Sequence, residues 1–125
     1  MIDGIFTEAV AAQLRTRFPD VYVGLPQDDG RITMPAIILE LRSDTVISSP
    51  LQRGHLTTLV CSQADDTTPD QHYQLCYDVS TFMKTLTISS NVVQLHGIKP
   101  FNSDQAHAER HWQTPMQYIV GFSPI

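Results

Sequence analysis

The segment Met34-Pro35-Ala36-Ile37-Ile38-Leu39-Glu40-Leu41 constrains this chain more than any other. It is the most hydrophobic run in the sequence and too short for most helices. It opens next to a proline, whose missing N–H suits the start of a strand. We read it as a central β-strand. Leu56-Thr57-Thr58-Leu59-Val60-Cys61 is β-branched and supplies an antiparallel partner. Val21, Tyr22 and Val23 read as a short strand before it. The last strand runs from about Trp112 to Phe122, where Met116, Tyr118, Val120 and Phe122 alternate with Gln117, Ile119 and Gly121. Pro115 predicts a bulge or an edge near its start. Between these, Val92 to Leu95 reads as a strand or a turn of helix, Gly97 to Phe101 as extended, and Asn102-Ser103-Asp104 as a turn.

Two segments carry helical spacing instead. Phe6, Val10 and Leu14 recur on one face of a stretch from Gly4 to Phe18, widened by Ile5 and Ala9, with Asp3 as the expected cap and Pro19-Asp20 as the stop. The second begins at Thr68-Pro69-Asp70-Gln71. Thr68 suits the N-cap, Pro69 the first helical position, Asp70 the positive end of the dipole and Gln71 the reciprocal bond of a capping box. Cys76, Val79, Met83 and Leu86 then form one apolar face of a helix from Pro69 to about Leu86. The expected order is αβββαββ, an α+β fold with a mostly antiparallel sheet and two helices on one face. The other face must be solvated, covered, or met by another subunit.

With 125 residues the chain is expected to form one domain, residues 1–125. Charged residues make up 17%, below the usual quarter. A chain with few solvating side chains is suited to hiding part of its surface against partners. Eight Lys and Arg stand against thirteen Asp and Glu, a net charge of −5. That balance argues against specific nucleic-acid recognition and against adsorption to anionic membranes. No apolar run approaches a spanning helix. Met1-Ile2-Asp3-Gly4 opens without the basic region of a secretory signal. Cys61 and Cys76 read as buried thiols of a reducing compartment, with a bridge or metal pair as the alternative.

Candidate chemistry is sparse, and no catalytic, cofactor or metal residue is assigned. His107, Glu109 and His111 could ligate a first-row metal if their stretch is extended, since side chains two apart then share a face. The competing reading is a polar surface segment. There is no Gly-x-Ser-x-Gly elbow and no phosphate-cradling glycine loop. Asp28-Asp29 and Asp65-Asp66 with Asp70 lack calcium-loop spacing. Trp112, the single tryptophan, is either a core or rim aromatic or an interface anchor.

Four features together resemble the tail terminator (tail-completion, minor tail protein) family of long-tailed bacteriophages. They are the short N-terminal amphipathic helix, the Pro35-to-Leu41 strand with its hairpin into Leu56 to Cys61, the Pro69-to-Leu86 helix, and the closing Trp112-to-Phe122 strand. The resemblance implies a structural, non-enzymatic protein of the phage or prophage virion tail, assembled in the bacterial host cytoplasm. It implies a homo-oligomeric ring, a hexamer, that binds the end of the tail tube, stops its polymerisation and joins the tail to the head connector protein. An acidic lumen would leave DNA free to pass. Ser89 to Leu95 departs from the family pattern in being less helical. The polar excursion from Arg42 to His55 is the expected contact with another subunit or the tube, through Arg42, Asp44, Leu51, Arg53 and His55, with Trp112 as a further anchor. Three alternatives stand beside this reading. One is another head–tail joining component of similar fold. A second is an unrelated αβ binding domain or subunit of a cellular complex. The third is a metal-dependent enzyme using His107, Glu109 and His111.

Overall fold

The computed structural model describes residues 2–24, 35–43, 51–63, 67–88, 90–103, 106–108 and 111–125. Helix α1 (Ile2–Leu14) starts and ends earlier than its periodicity predicts. Asp3 is therefore not its cap. It lies in the first turn, where its carboxylate accepts a 2.7 Å bond from the Ser43 hydroxyl and its carbonyl accepts one from Thr7. The helix stops at Leu14 because the next turn tightens, with the Thr16 amide and hydroxyl both donating to the Gln13 carbonyl. Phe6, Val10 and Leu14 are fully buried, as their spacing requires.

Helix α2 (Pro69–Lys84) begins at the predicted capping box. Thr68 Oγ1 accepts from the Gln71 N–H at 3.2 Å, and Gln71 Oε1 accepts from the Thr68 N–H at 2.9 Å. Its buried stripe is His72, Cys76, Val79 and Met83. Leu86 lies beyond its end and is buried all the same.

The strands are β1 (Val21–Val23), β2 (Ala36–Ser43), β3 (Gln52–Gln63), β4 (Val93–Ser103), β5 (Ala106–Ala108) and β6 (His111–Pro124). Five run in the order β1-β2-β3-β6-β4, and short β5 also pairs with β6. All pairings are antiparallel except β1 with β2. This is the expected α+β fold. Both helices lie on one face, α1 against β1, β2, β4 and β6, and α2 against β3, β4 and β6. Between them sits one core, in which the Phe6 and Phe122 rings stack at 4.1 Å and tie α1 to β6. Each fully buried side chain of this kind contributes roughly 1.5–3 kcal/mol.

The structure corrects three local readings. First, the β2–β3 ladder runs on through Arg42↔His55 and Ser43↔Gly54, so Arg42, Arg53 and His55 belong to strands, not to a polar excursion. Alternating burial pays no heed to their polarity, because one side of the sheet faces solvent. Second, Val93 to Ser103 is a single strand that absorbs Asn102 and Ser103, and its irregularities appear as register shifts between Leu95 and Gly97 and between Pro100 and Asn102. Third, Pro115 lies on β6, which is an interior strand. Among the described residues it pairs only with Leu59, because the ladder to β5 ends at Gln113 and that to β4 begins at Met116. A residue with no N–H is tolerated at such a break.

Candidate functional site

Side chains alternate across a strand, so the register sorts every sheet residue onto one of two faces. Leu56, Thr58 and Val60 of β3 turn toward the helices and are fully buried. His55, Thr57 and Leu59 take the other face. Cross-strand pairing aligns Glu40, Thr57 and Gln117 in one row there, and Arg42, His55, Ile119 and Lys99 in the next. Arg53 follows one row further along β3. Glu40, Arg42, His55, Thr57 and Gln117 line a shallow cleft of about 290 Å³. Phe101 closes the β4 end, its ring edge-on to His55 at 5.2 Å. No described helix covers this face. At the far end of the same face Ala36, Ile38 and Cys61 are buried.

On one side of the sheet β1 covers only Ile37–Leu39 of β2, so Glu40–Ser43 have no described partner there. The β1 edge is only three residues long. The β4 edge is eleven residues long, yet it carries Lys99 and Pro100 and two register shifts. A charge, a missing N–H and bulges are the devices that keep edge strands from pairing with other chains.

Under the opposite face lies a buried polar cluster. His72 is 1% exposed, with Nδ1 2.8 Å from Ser62 Oγ and Nε2 2.8 Å from Thr114 Oγ1. One imidazole thus ties α2 to β3 and β6 together. Trp112 stacks on it with ring centroids 6.1 Å apart and donates its indole N–H to the Thr67 carbonyl. Cys76 Sγ lies 3.5 Å from His72 Nε2. Burial lowers the His72 pKa below its ordinary 6.5 and raises that of Cys76. Both shifts keep the proton on sulfur, opposite to what a thiolate nucleophile needs. Cys61, pushed up to about 11 by burial and then by Cys76, is likewise a protonated core thiol. Both cysteines are free.

Of the residues picked out for an interface, Arg42, Arg53 and His55 share the open face, and Leu51 adjoins β3 in an exposed position. Trp112 does not join them. Its register partner Ser62 faces α2, and its indole is occupied there. Asp44 lies outside the described residues. So do Glu109 and the side chains of His107 and His111. The backbone nevertheless departs from the single extended stretch that the metal reading assumes, since β5 and β6 are antiparallel partners with Ala108 opposite His111. Among the described residues no three His, Cys, Asp or Glu side chains gather to hold a metal ion. No described helix is long and apolar enough to cross a membrane. Sequence reasoning missed His72, although it stands four residues before Cys76 and so extends the apolar stripe by one turn. It also missed Lys99 and Phe101, whose place on the open face depends on the register shifts of β4.

No protein-family model matches the chain, and no curated protein matches it. Solved structures do match, 24 chains among them. One, of a protein without a descriptive name, superposes with a TM-score of 0.61 over 99% of this chain and 93% of its own, at 13% identity. At that identity the likeness shows the fold and nothing of what either protein does.

Proposed function

We propose that this chain is a structural assembly protein of a long-tailed phage or prophage: a tail terminator that forms a ring on the end of the tail tube, halts tube growth and offers the surface to which the head connector joins. The observation that carries the reading is the one-sided architecture. Two helices seal one face of the sheet, and no described helix covers the other, where Glu40, Arg42, His55, Thr57 and Gln117 line a shallow cleft. The order of elements agrees with the family that the sequence resembles. Its mechanism is geometric. A ring is built from heterologous contacts, each joining two different patches of the same chain, and it closes when the rotation per contact allows. A ring that matches the tube below and differs from it above leaves no seat for the next tube subunit.

The test is to purify the protein and add it to polymerising tail-tube subunits. The expected results are a ring-sized species in sedimentation, alone or on the tube, and tubes capped at one end that no longer lengthen. A chain that stays monomeric at high concentration and leaves tube growth unchanged would refute the proposal.

A further inference from the structure

Helix α2 packs against β4 and β6, and beside that contact lies a cleft of about 420 Å³. Its walls come from Ser80 and Lys84 of α2, Pro100 and Phe101 of β4, and Met116 and Tyr118 of β6. Phe101 stands where the β4 ladder shifts register between Pro100 and Asn102, and its ring is 56% exposed. The volume is within the range of small-molecule sites, which combine apolar walls with a few converging polar groups. Here Pro100, Phe101 and Met116 supply the apolar surface, and the Lys84 ammonium and two hydroxyls supply the polar one.

One of those hydroxyls sets this cleft apart. Tyr118 is 2% exposed, yet its phenol oxygen has no hydrogen-bond partner. A buried hydroxyl left in that state is costly, and native proteins hold few of them. Burial raises its pKa above the ordinary 10, with the nearby Ser80 and Thr58 hydroxyls opposing the rise. The phenol thus stays protonated at neutral pH and can donate. Thr58 is engaged elsewhere, donating to the Met116 carbonyl at 3.4 Å. Ser80 is half-buried, lies near the phenol and also walls the cleft. Its hydroxyl turns about a single bond, so it can accept from Tyr118 while donating into the cleft. An acceptor in the cleft would hold Ser80 in that rotamer. Lys84, which has no ion pair among the described residues, favours an acceptor with negative charge.

We propose that this cleft binds a small organic carboxylate carried on an aryl or short alkyl body. The carboxylate accepts from the Ser80 hydroxyl and the Lys84 ammonium, Ser80 accepts from Tyr118, and the body lies against Pro100, Phe101 and Met116. One ammonium and one hydroxyl match a single negative charge, and the apolar walls call for a carbon body, which inorganic phosphate lacks. Tyr118 is a positioning residue: it orients Ser80 and does not touch the ligand. The site goes beyond the ring reading and does not depend on it.

The experiment titrates the isotope-labelled full chain with benzoate, benzamide and inorganic phosphate, following the backbone amide resonances. Benzoate should bind in the millimolar range and shift the amides of Ser80, Lys84 and Tyr118. Benzamide lacks the charge and phosphate lacks the body, so each should bind about tenfold or more weakly. Lys84→Met, at an exposed position, should weaken benzoate binding by a similar factor. Tyr118→Phe keeps the ring and removes the unpartnered hydroxyl. It should be at least as stable as wild type in urea and yet bind benzoate several-fold more weakly. Ser80→Ala should weaken binding too, and adding Tyr118→Phe to it should have no further effect, because the phenol acts through Ser80. A merely structural tyrosine would change stability and leave affinity alone. Amides of Ser80, Lys84 and Tyr118 that do not move with benzoate would overturn the proposal. So would phosphate or benzamide binding as tightly as benzoate, or a Tyr118→Phe chain with wild-type affinity. None of these results bears on ring formation, which sedimentation reads separately.

Discussion

Replacing His72 by alanine tests whether the buried cluster is a structural tie. The imidazole bonds Ser62 and Thr114 at 2.8 Å each, and both hydroxyl residues are buried, at 1% and 5% exposure. Truncation strands two polar groups away from water at roughly 1–3 kcal/mol each. It also leaves a cavity worth about 2 kcal/mol beneath α2. Part of this is recovered when a hydroxyl turns to a nearby carbonyl, as Thr58 already does toward Met116 at 3.4 Å. The expected net loss is about 3–6 kcal/mol, a large share of the roughly 5–15 kcal/mol that holds a domain together. Urea unfolding followed by Trp112 fluorescence measures it, because that ring stacks on His72 and is the only tryptophan. A loss below about 1 kcal/mol would refute the reasoning. The pH dependence adds a second check. Burial lowers the His72 pKa in the folded state, so as pH falls through the ordinary 6.5 the unfolded chain takes up this proton first. Stability must therefore fall with pH there, and it levels off once the lowered folded-state pKa is passed. The alanine variant should lack that component. Identical slopes for the two proteins between about pH 8 and 5.5 would show that His72 does not titrate differently in the two states.

Three further outcomes follow from the core and the ladder. Val79→Asp puts an unpaired carboxylate at a fully buried position on α2 and should cost more than about 4 kcal/mol, visible as loss of the cooperative unfolding transition in circular dichroism. Gly54→Ala should destabilise by about 1–3 kcal/mol in urea, because its Cβ would lie 2.9 Å from the Arg42 carbonyl oxygen and 3.2 Å from Ser43 Cα, both backbone atoms of the paired strand. Cys61 and Cys76 should resist a thiol reagent at pH 8 in the native protein and react on unfolding. Since burial raises the Cys61 pKa from 9.0 to about 11, stability should decline as pH rises from the lower value toward the higher. Rapid labelling of the folded chain, followed by mass spectrometry, would contradict that environment.

Much of the fold was legible because local signals agreed with one another. Thr68-Pro69-Asp70-Gln71 set the start of α2 to the residue, and Phe6, Val10 and Leu14 marked the face that α1 buries. The errors share a cause. Polar strands that face solvent on one side look like loops when read one residue at a time, which is why Arg42, Arg53 and His55 read as an excursion in the sequence and are strand residues in the structure. Glycine and proline normally interrupt strands, yet Gly54 is required by the close approach of β2, and Pro115 occupies a break between two ladders. Both are determined by neighbours distant in sequence. The open face suffered the same limit. Arg42 and His55 were within reach of the sequence, but Lys99 and Phe101 join them only through the register of β4 against β6, and Trp112 is turned to the helices by its pairing with Ser62.

The buried cluster and the contact surfaces are connected by a geometric requirement. In the proposed ring every contact must repeat the same rotation, so the surfaces that each copy offers to its two neighbours must keep a fixed angle within that copy. A helix lying on a sheet through aliphatic contacts alone can slide by small shear steps at modest cost. His72 opposes that sliding, because its two ring nitrogens hold hydroxyls on two different strands, β3 and β6, and a shift of α2 along either would break one of the bonds. Hydrogen bonds are directional where apolar packing is tolerant, and in the interior a broken one is costly. The Thr68–Gln71 box fixes the entry to the same first turn, and the Trp112 indole bond to Thr67 anchors the residue just before it. Polar groups concentrate at one end of α2, with Val79 and Met83 packing apolar at the other. That distribution holds the helix by its N-terminus in a defined orientation. It follows that a mild replacement such as His72→Gln should disturb the size distribution of any assembly at concentrations where the subunit is still folded. Assemblies indistinguishable from wild type in sedimentation, from a folded His72→Gln chain, would show that the angle is set by the apolar core alone.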